Sequence, residues 1–204
     1  MMLRSFAILL LANALGGRLF TAPVPQPDAA REALNLGRTH DQGLYDAFNA
    51  GYRLTPSGIV DSVEVVTEFR RAVLIVREHA LQGEYSFTAN DLASALAPFR
   101  GTVTFIAQVR LHPLNTYAAP PAYDLYVRTG SQSKPVAAPA IKRDPVYPPG
   151  SIGPGSSGSV MTAVRLEASF ARADIVEAAE PTLIVNDDHG AILWQSRIDL
   201  GRYR

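Results

Sequence analysis

Residues 102–112 read TVTFIAQVRLH, and the alternation of side chains in this stretch decides the fold class. Its apolar residues recur at every second position and comprise Val103, Phe105, Ala107, Val109 and Leu111. Because successive side chains of a β-strand point to opposite faces, this period places all of them on one face. The stretch is therefore predicted to be a strand whose apolar face lies in a hydrophobic core.

Further β-rich segments lie on both sides of this strand. Their composition and alternation predict strands at 59–66, 123–127, 160–170, 182–186 and 191–200, with one edge strand at 141–147. Strands that follow one another through short connections favour antiparallel pairing. The expected fold class is mostly β, an antiparallel Ig-like β-sandwich with one or two short helices, and α+β is the alternative.

Helices are predicted where capping residues precede apolar residues at helical spacing. Thr88 and Asp91 have the spacing of a capping box at the start of TANDLASALAPF. Thr67 is placed to cap a helix that stops at Gly83, although one long strand through Ile75 is the competing interpretation.

Two shorter helical segments come earlier in the chain. DAAREALNLG is predicted to be a helix with Asp28 as N-cap and Gly37 as the residue just past its end. THDQGLYDAFNAG is a helix with Thr39 and Gln42 as a capping box, or a loop.

The N-terminus has the layout of a secretory signal peptide. A basic start, Met1–Arg4, precedes the apolar run FAILLLANAL, which is too short to cross a bilayer comfortably as a helix. A buried helix and an uncleaved anchor are the alternatives. The expected organisation is a signal peptide at 1–22, a Pro-rich spacer and short helical segment at 23–58, and a β-sandwich domain at 59–204 with a long Pro/Gly/Ser loop at 129–159. The expected location is periplasmic or extracellular.

Composition excludes several kinds of site. The 204 residues include no cysteine, so disulfides, thiolate metal sites and cysteine nucleophiles are ruled out. Basic and acidic residues number 19 each, which argues against a nucleic-acid partner. The adjacent pairs Arg70–Arg71 and Lys142–Arg143 are predicted to be solvated surface residues. No sequence motif indicates a cofactor or selects catalytic residues.

The stretch NDDHG, residues 186–190, allows two interpretations. Asp187 and Asp188 are candidate metal ligands, but calcium needs more oxygen ligands than this segment supplies. A hairpin turn is favoured, because Asp and Asn bond the nearby backbone and Gly190 permits a positive φ. The predicted register sets Val185 opposite Ile192 and Leu183 opposite Trp194, with 187–190 as the loop.

The loop that follows strand 102–112 is the candidate binding site. It contains Asn115 and Tyr117, and Tyr123 lies at its far end. Tyrosine offers an apolar face and a polar tip, which suit a sugar or a proline-rich peptide. The alternative is that these tyrosines pack against their own loop.

Three stretches resemble uncharacterised exported bacterial β-sandwich proteins: VTEFRRAVLIVREHALQG, APFRGTVTFIAQVRLHPLNTY and the closing IDLGRYR. The resemblance covers most of residues 60–204 and implies an exported β-sandwich, with no functional residue to transfer. The expected function is a non-enzymatic interaction or structural module of the cell envelope or secreted space, with a protein or glycan partner. The alternative is an exported hydrolase or carbohydrate-active enzyme.

Overall fold

The computed structural model describes residues 27–130, 135–149, 160–176 and 181–204, which form a mixed α+β architecture. The helices are α1 Pro27–Gly37, α2 Gln42–Ala50, α3 Glu68–Leu81, α4 Ala89–Leu96 and α5 Arg172–Val176. The strands are β1 Arg53–Leu54, β2 Val60–Val66, β3 Thr102–Arg110, β4 Asp124–Arg128, β5 Val136–Ala137, β6 Ile141–Val146, β7 Ala163–Ala171, β8 Thr182–Asn186 and β9 Ile192–Arg197. The predicted signal peptide lies outside the described residues.

Two antiparallel sheets contain these strands. The larger has the order β1-β2-β3-β7-β6 and the smaller the order β5-β4-β8-β9. Side chains from both sheets, among them Phe105 and Leu125, belong to one buried core. The prediction of antiparallel sheets is thus confirmed. The fold class matches the α+β alternative and not the mostly β prediction, because the described residues form five α-helices where one or two were expected. None of the described helices is both long and apolar enough to cross a membrane.

Strand β3 lies at the centre of the larger sheet. It pairs with β2 on one side and with β7 on the other, from Thr102↔Ala171 to Arg110↔Ala163. The apolar face expected from its alternation is buried along the whole strand. Because hydrogen bonds hold both of its edges, β3 fixes the position of the loop that leaves its C-terminal end.

The residues after β2 form a helix and not a longer strand. The Thr67 side chain accepts a hydrogen bond from the Arg70 backbone N–H at 3.3 Å and begins α3. Gly83, with φ +80°, follows its end, as predicted. The capping box of Thr88 and Asp91 is also present at the start of α4. These helix boundaries were readable because local hydrogen bonds set them.

The predicted ends of α1 and α2 were wrong. Asp28 lies inside the first turn of α1, and Gly37 is its last helical residue, without a positive φ. An added Cβ at Gly37 would lie 2.6 Å from Val76 Cβ, so the glycine permits close packing of α1 on α3. The N-cap of α2 is Asp41, which accepts from Leu44 N at 3.0 Å.

We expect Gly37→Ala to destabilise the protein by about 1–3 kcal/mol, because the new methyl group has no room against Val76. Gly43→Ala is the matched control within a helix. Its Cβ would meet only Asp41 Oδ1, at 3.3 Å, so the higher helix propensity of alanine should leave stability unchanged or increased. Urea unfolding of both variants measures this. Equal stabilities would show that α1 is free to move away from α3.

Arg70 ties the helices to the larger sheet. Only 2% of this residue is exposed, contrary to the predicted solvated pair. Its guanidinium donates to Val65 O at 2.9 Å, to Glu64 Oε2 at 2.6 Å and to Asn49 Oδ1 at 3.4 Å. These acceptors belong to β2 and α2, so one buried cation joins both to α3.

The Glu64 carboxylate also forms a salt bridge with a second arginine, Arg53, with an N–O distance of 2.8 Å. Burial alone raises the pKa of Glu64, but the hydrogen bonds from Arg53 and Arg70 outweigh burial and hold that pKa below its ordinary value. The carboxylate is therefore charged at neutral pH, which leaves the buried Arg70 cation with a charged partner.

We expect Glu64→Gln to lower the free energy of unfolding by about 1–3 kcal/mol at neutral pH. A carboxylate with a lowered folded-state pKa stabilises the fold above its ordinary pKa of 4.5, and this contribution disappears as pH falls through the lowered value. The stabilities of Glu64→Gln and the parent chain should therefore converge in acid. Urea titrations down to about pH 3 measure the difference. A difference independent of pH would contradict the charged pair.

Candidate functional site

A cleft of about 790 Å³ lies at the C-terminal end of β3. We call it the loop-end cleft, and it is lined by Ile59, residues 110–117 and Tyr123. Two of the predicted binding residues, Asn115 and Tyr117, lie in its loop wall, and the third, Tyr123, also lines it. The structure thus brings all three together at one end of the larger sheet.

Three apolar side chains are exposed in the loop-end cleft. The exposed fraction is 83% for Leu114, 44% for Tyr117 and 42% for Ile59. Sequence reasoning singled out Tyr117 but missed Leu114 and Ile59. The sequence feature that could have identified Leu114 is its position between Pro113 and Asn115, outside any alternating pattern. Because these three exposed apolar side chains line the same cleft, they form a candidate contact for another molecule.

Asn115 organises the loop itself. Its side-chain N–H groups donate to His112 O at 2.7 Å and to Met161 O at 2.9 Å, and its Oδ1 accepts from Tyr117 N at 3.3 Å. The amide therefore bridges the loop to the residues that precede β7. Because these hydrogen bonds use both amide N–H groups, Asn115 acts here by holding Leu114 and Tyr117 in place.

The polar wall of the cleft comes from Arg110 and His112. The Arg110 guanidinium donates to Gly58 O at 2.8 Å and lies 3.6 Å from the Asp61 carboxylate. His112 Nδ1 accepts from Leu114 N at 3.1 Å, so its Nε2 carries the proton of the neutral ring. The cleft can thus offer hydrogen-bond donors beside its apolar contacts.

Tyr123 packs in the core. Only 8% of it is exposed, and it belongs to the buried cluster shared by the two sheets. Burial, the neighbouring Tyr117 phenol and the carboxylates of Asp188 and Asp187 raise the pKa of Tyr123 to about 12. The phenol therefore stays protonated at neutral pH. Tyr123 therefore packs in the core between the two sheets, and little of its surface is left for a partner.

The stretch NDDHG forms a hairpin turn beside Tyr123. Asp187 Oδ1 accepts backbone hydrogen bonds from His189 at 2.9 Å and Ala191 at 2.7 Å. Gly190 has φ +84°, as predicted. Asp187 N also donates to Ala191 O at 2.9 Å, which closes a loop of three residues. The Asp187 carboxylate thus stabilises the turn through these backbone hydrogen bonds.

The predicted register of this hairpin was wrong. Val185 faces Trp194, and Leu183 faces Ser196, with an irregularity before the Asn186↔Ile192 pair. The loop has three residues and not the predicted four, and Leu193 is an extra residue of β9 between the partners of Asn186 and Val185, so each of the two features shifts the register by one. Alternation alone does not reveal an inserted residue, so the pairing could not be read from the sequence.

Among the described residues, the candidate metal ligands Asp187 and Asp188 do not belong to a cluster of potential metal ligands. Within the described residues, no group of three or more His, Cys, Asp or Glu side chains is placed to hold a metal ion. The Asp188 carboxylate lies 3.8 Å from His189 Nε2. Its surroundings match an exposed turn.

Comparison with protein-family models, with curated proteins and with solved structures finds no significant match for this chain.

We expect Gly190→Ala to destabilise the protein by about 1 kcal/mol or more, because alanine is strained at φ +84°. Asp187→Asn should change stability little, since an amide oxygen can accept the same backbone hydrogen bonds. Thermal melts with and without calcium measure both variants. A large rise of the melting temperature of the parent chain in calcium would contradict the turn interpretation and support a metal site.

Proposed function

We propose that this chain is an exported, non-enzymatic interaction module that binds a protein or glycan partner in the loop-end cleft. In this proposal the two sheets form an Ig-like sandwich in the periplasm or extracellular space, and its loop end carries the binding surface. The signal-peptide layout of residues 1–22 and the resemblance to exported β-sandwich proteins support export.

The observation that carries the proposal is the exposed Leu114 on a loop that is held at both ends. Leu111 N donates to Thr162 O at 2.8 Å at one end, and Tyr123 is buried at the other. Asn115 restrains the segment between them. A restrained loop loses little conformational entropy on binding. The free energy gained from the contacts of Leu114 and Tyr117 would therefore be offset only slightly by the cost of ordering the loop.

The mixture of side chains fits a protein or glycan surface. Leu114 and Ile59 offer aliphatic contacts, Tyr117 offers an aromatic face, and Arg110 and His112 supply donors at the rim. Interfaces of this kind combine an apolar centre with polar groups that fix orientation. Tyr123 would support the floor of the cleft and would not contact the partner over much of its surface.

We expect Leu114→Ala and Tyr117→Ala each to weaken partner binding by about 1–3 kcal/mol while the melting temperature stays nearly constant. Leu81→Ala is the matched control, because Leu81 is 73% exposed at the end of α3 and distant in sequence from the cleft. Tyr123→Ala should lower stability and binding together, since it removes a core side chain.

The measurement is affinity capture from cell-envelope extract and a glycan-array titration, each performed with all four variants. Capture that falls for Leu114→Ala and Tyr117→Ala but not for Leu81→Ala would support the proposal. Unchanged binding in both cleft variants would remove the loop-end cleft as the site.

A further inference from the structure

A second cleft, of about 510 Å³, lies where the helices meet the larger sheet. We call it the helix–sheet cleft. Its lining includes Asp46 and Asn49 of α2, Arg53 of β1, Glu64 of β2 and Arg70 of α3. The volume is within the range of about 300–1,000 Å³ that is usual for small-molecule sites. Because four of these five side chains are charged, a ligand of this cleft would be recognised mainly through polar groups.

The floor of the helix–sheet cleft consists of charges that already contact one another. One Glu64 carboxylate oxygen accepts from Arg53 at 2.8 Å, and the other accepts from the buried Arg70 at 2.6 Å. Two guanidinium cations and one carboxylate leave this group with a net positive charge. The Arg53 side chain is 58% exposed, and its hydrogen bond to Glu64 uses Nη2. Among the described residues its Nε and Nη1 have no acceptor, so both can donate to a ligand.

The α2 wall of the cleft carries a carboxylate that is held in place. Asp46 Oδ1 accepts from Gln42 Nε2 at 2.7 Å, and Gln42 Oε1 accepts from Arg77 Nη2 at 2.9 Å. Within the described ranges Asp46 forms no salt bridge, and its Oδ2 accepts no hydrogen bond. The contacts from Gln42 and Arg77 thus fix the position of a negative charge and leave one oxygen for a ligand.

We infer that the helix–sheet cleft binds a small zwitterion, whose carboxylate contacts Arg53 and whose ammonium group contacts Asp46. Free L-amino acids belong to this chemical class. A ligand of one sign would be attracted to one of these two charges and repelled by the other, whereas a zwitterion complements both. This inference does not depend on the proposed partner of the loop-end cleft.

The remaining lining can contact the rest of an amino acid. Thr55 lies two residues after Arg53, and its exposed hydroxyl can donate to the same carboxylate. Tyr45, Ala50 and Leu74 supply apolar surface for the side chain of the ligand. Small-molecule sites commonly combine apolar walls with a few polar groups that fix the orientation of the ligand.

The first test uses the standard L-amino acids as probes, each added separately to the parent chain at millimolar concentration. We expect at least one to raise the melting temperature and to give a saturable titration by calorimetry, since a ligand that binds only the folded chain stabilises it. The carboxamide of that amino acid lacks the carboxylate, and its N-acetyl derivative lacks the ammonium group. Each derivative should bind about tenfold more weakly or worse, because each loses a charged hydrogen bond.

The second test removes the charges from the protein. Asp46→Asn and Arg53→Gln should each weaken binding of the same amino acid by about tenfold or more. Both side chains are exposed, so the variants should fold, and thermal melts check this. Asp174→Asn and Arg100→Gln are the matched controls, because both side chains are exposed and neither lines the cleft. The controls should bind the amino acid as the parent chain does.

An amino acid that binds the parent chain and both controls, and that binds weakly to both cleft variants, would support the inference when its two derivatives also bind weakly. The absence of binding by every probe would overturn it. Unchanged binding in Asp46→Asn and Arg53→Gln would also overturn it, because the ligand would then occupy another site. If only one of these variants weakens binding, or if one derivative binds as well as the amino acid, the cleft recognises a simple ion and the zwitterion is excluded.

Discussion

The buried Arg70 guanidinium is the contact on which the arrangement of helices and sheet depends. A cation so far from water is costly unless it is paired and hydrogen-bonded, and here Glu64, Val65 and Asn49 supply the acceptors. Since these groups come from β2 and α2, the helix that carries Arg70 cannot shift without breaking several hydrogen bonds at once. The Tyr52 ring, 5.4 Å from the guanidinium, covers it further.

Two separate hydrophobic clusters stabilise the helices and the sheets. The helices pack on each other through the small cluster that includes Ala33, Val73 and Leu92, while the sheets share the larger core. Phe48 lies against both clusters and joins them. The described helices thus stabilise the end of the larger sheet where β2 finishes, and the loop-end cleft lies at the end where β2 begins.

The loop-end cleft follows from the placement of β3. A strand held on both edges positions its outgoing loop firmly, and Asn115 extends this restraint to the exposed Leu114 and Tyr117.

The sequence by itself determined the features that depend on neighbouring residues. The alternation in β3, the capping box of α4, the cap of α3 at Thr67 and the positive φ of Gly190 are all set by residues within a few positions of one another. What only the tertiary structure decided involves residues far apart: the burial of Arg70, the contact of Gly37 with Val76, and the exposure of Leu114 beside Ile59. The slipped register of β8 and β9 is an intermediate case, since one bulge residue changes every pairing beyond it. Local patterns report which face a side chain occupies, but they carry no information on which distant group meets it there, because that contact exists only once the chain has folded.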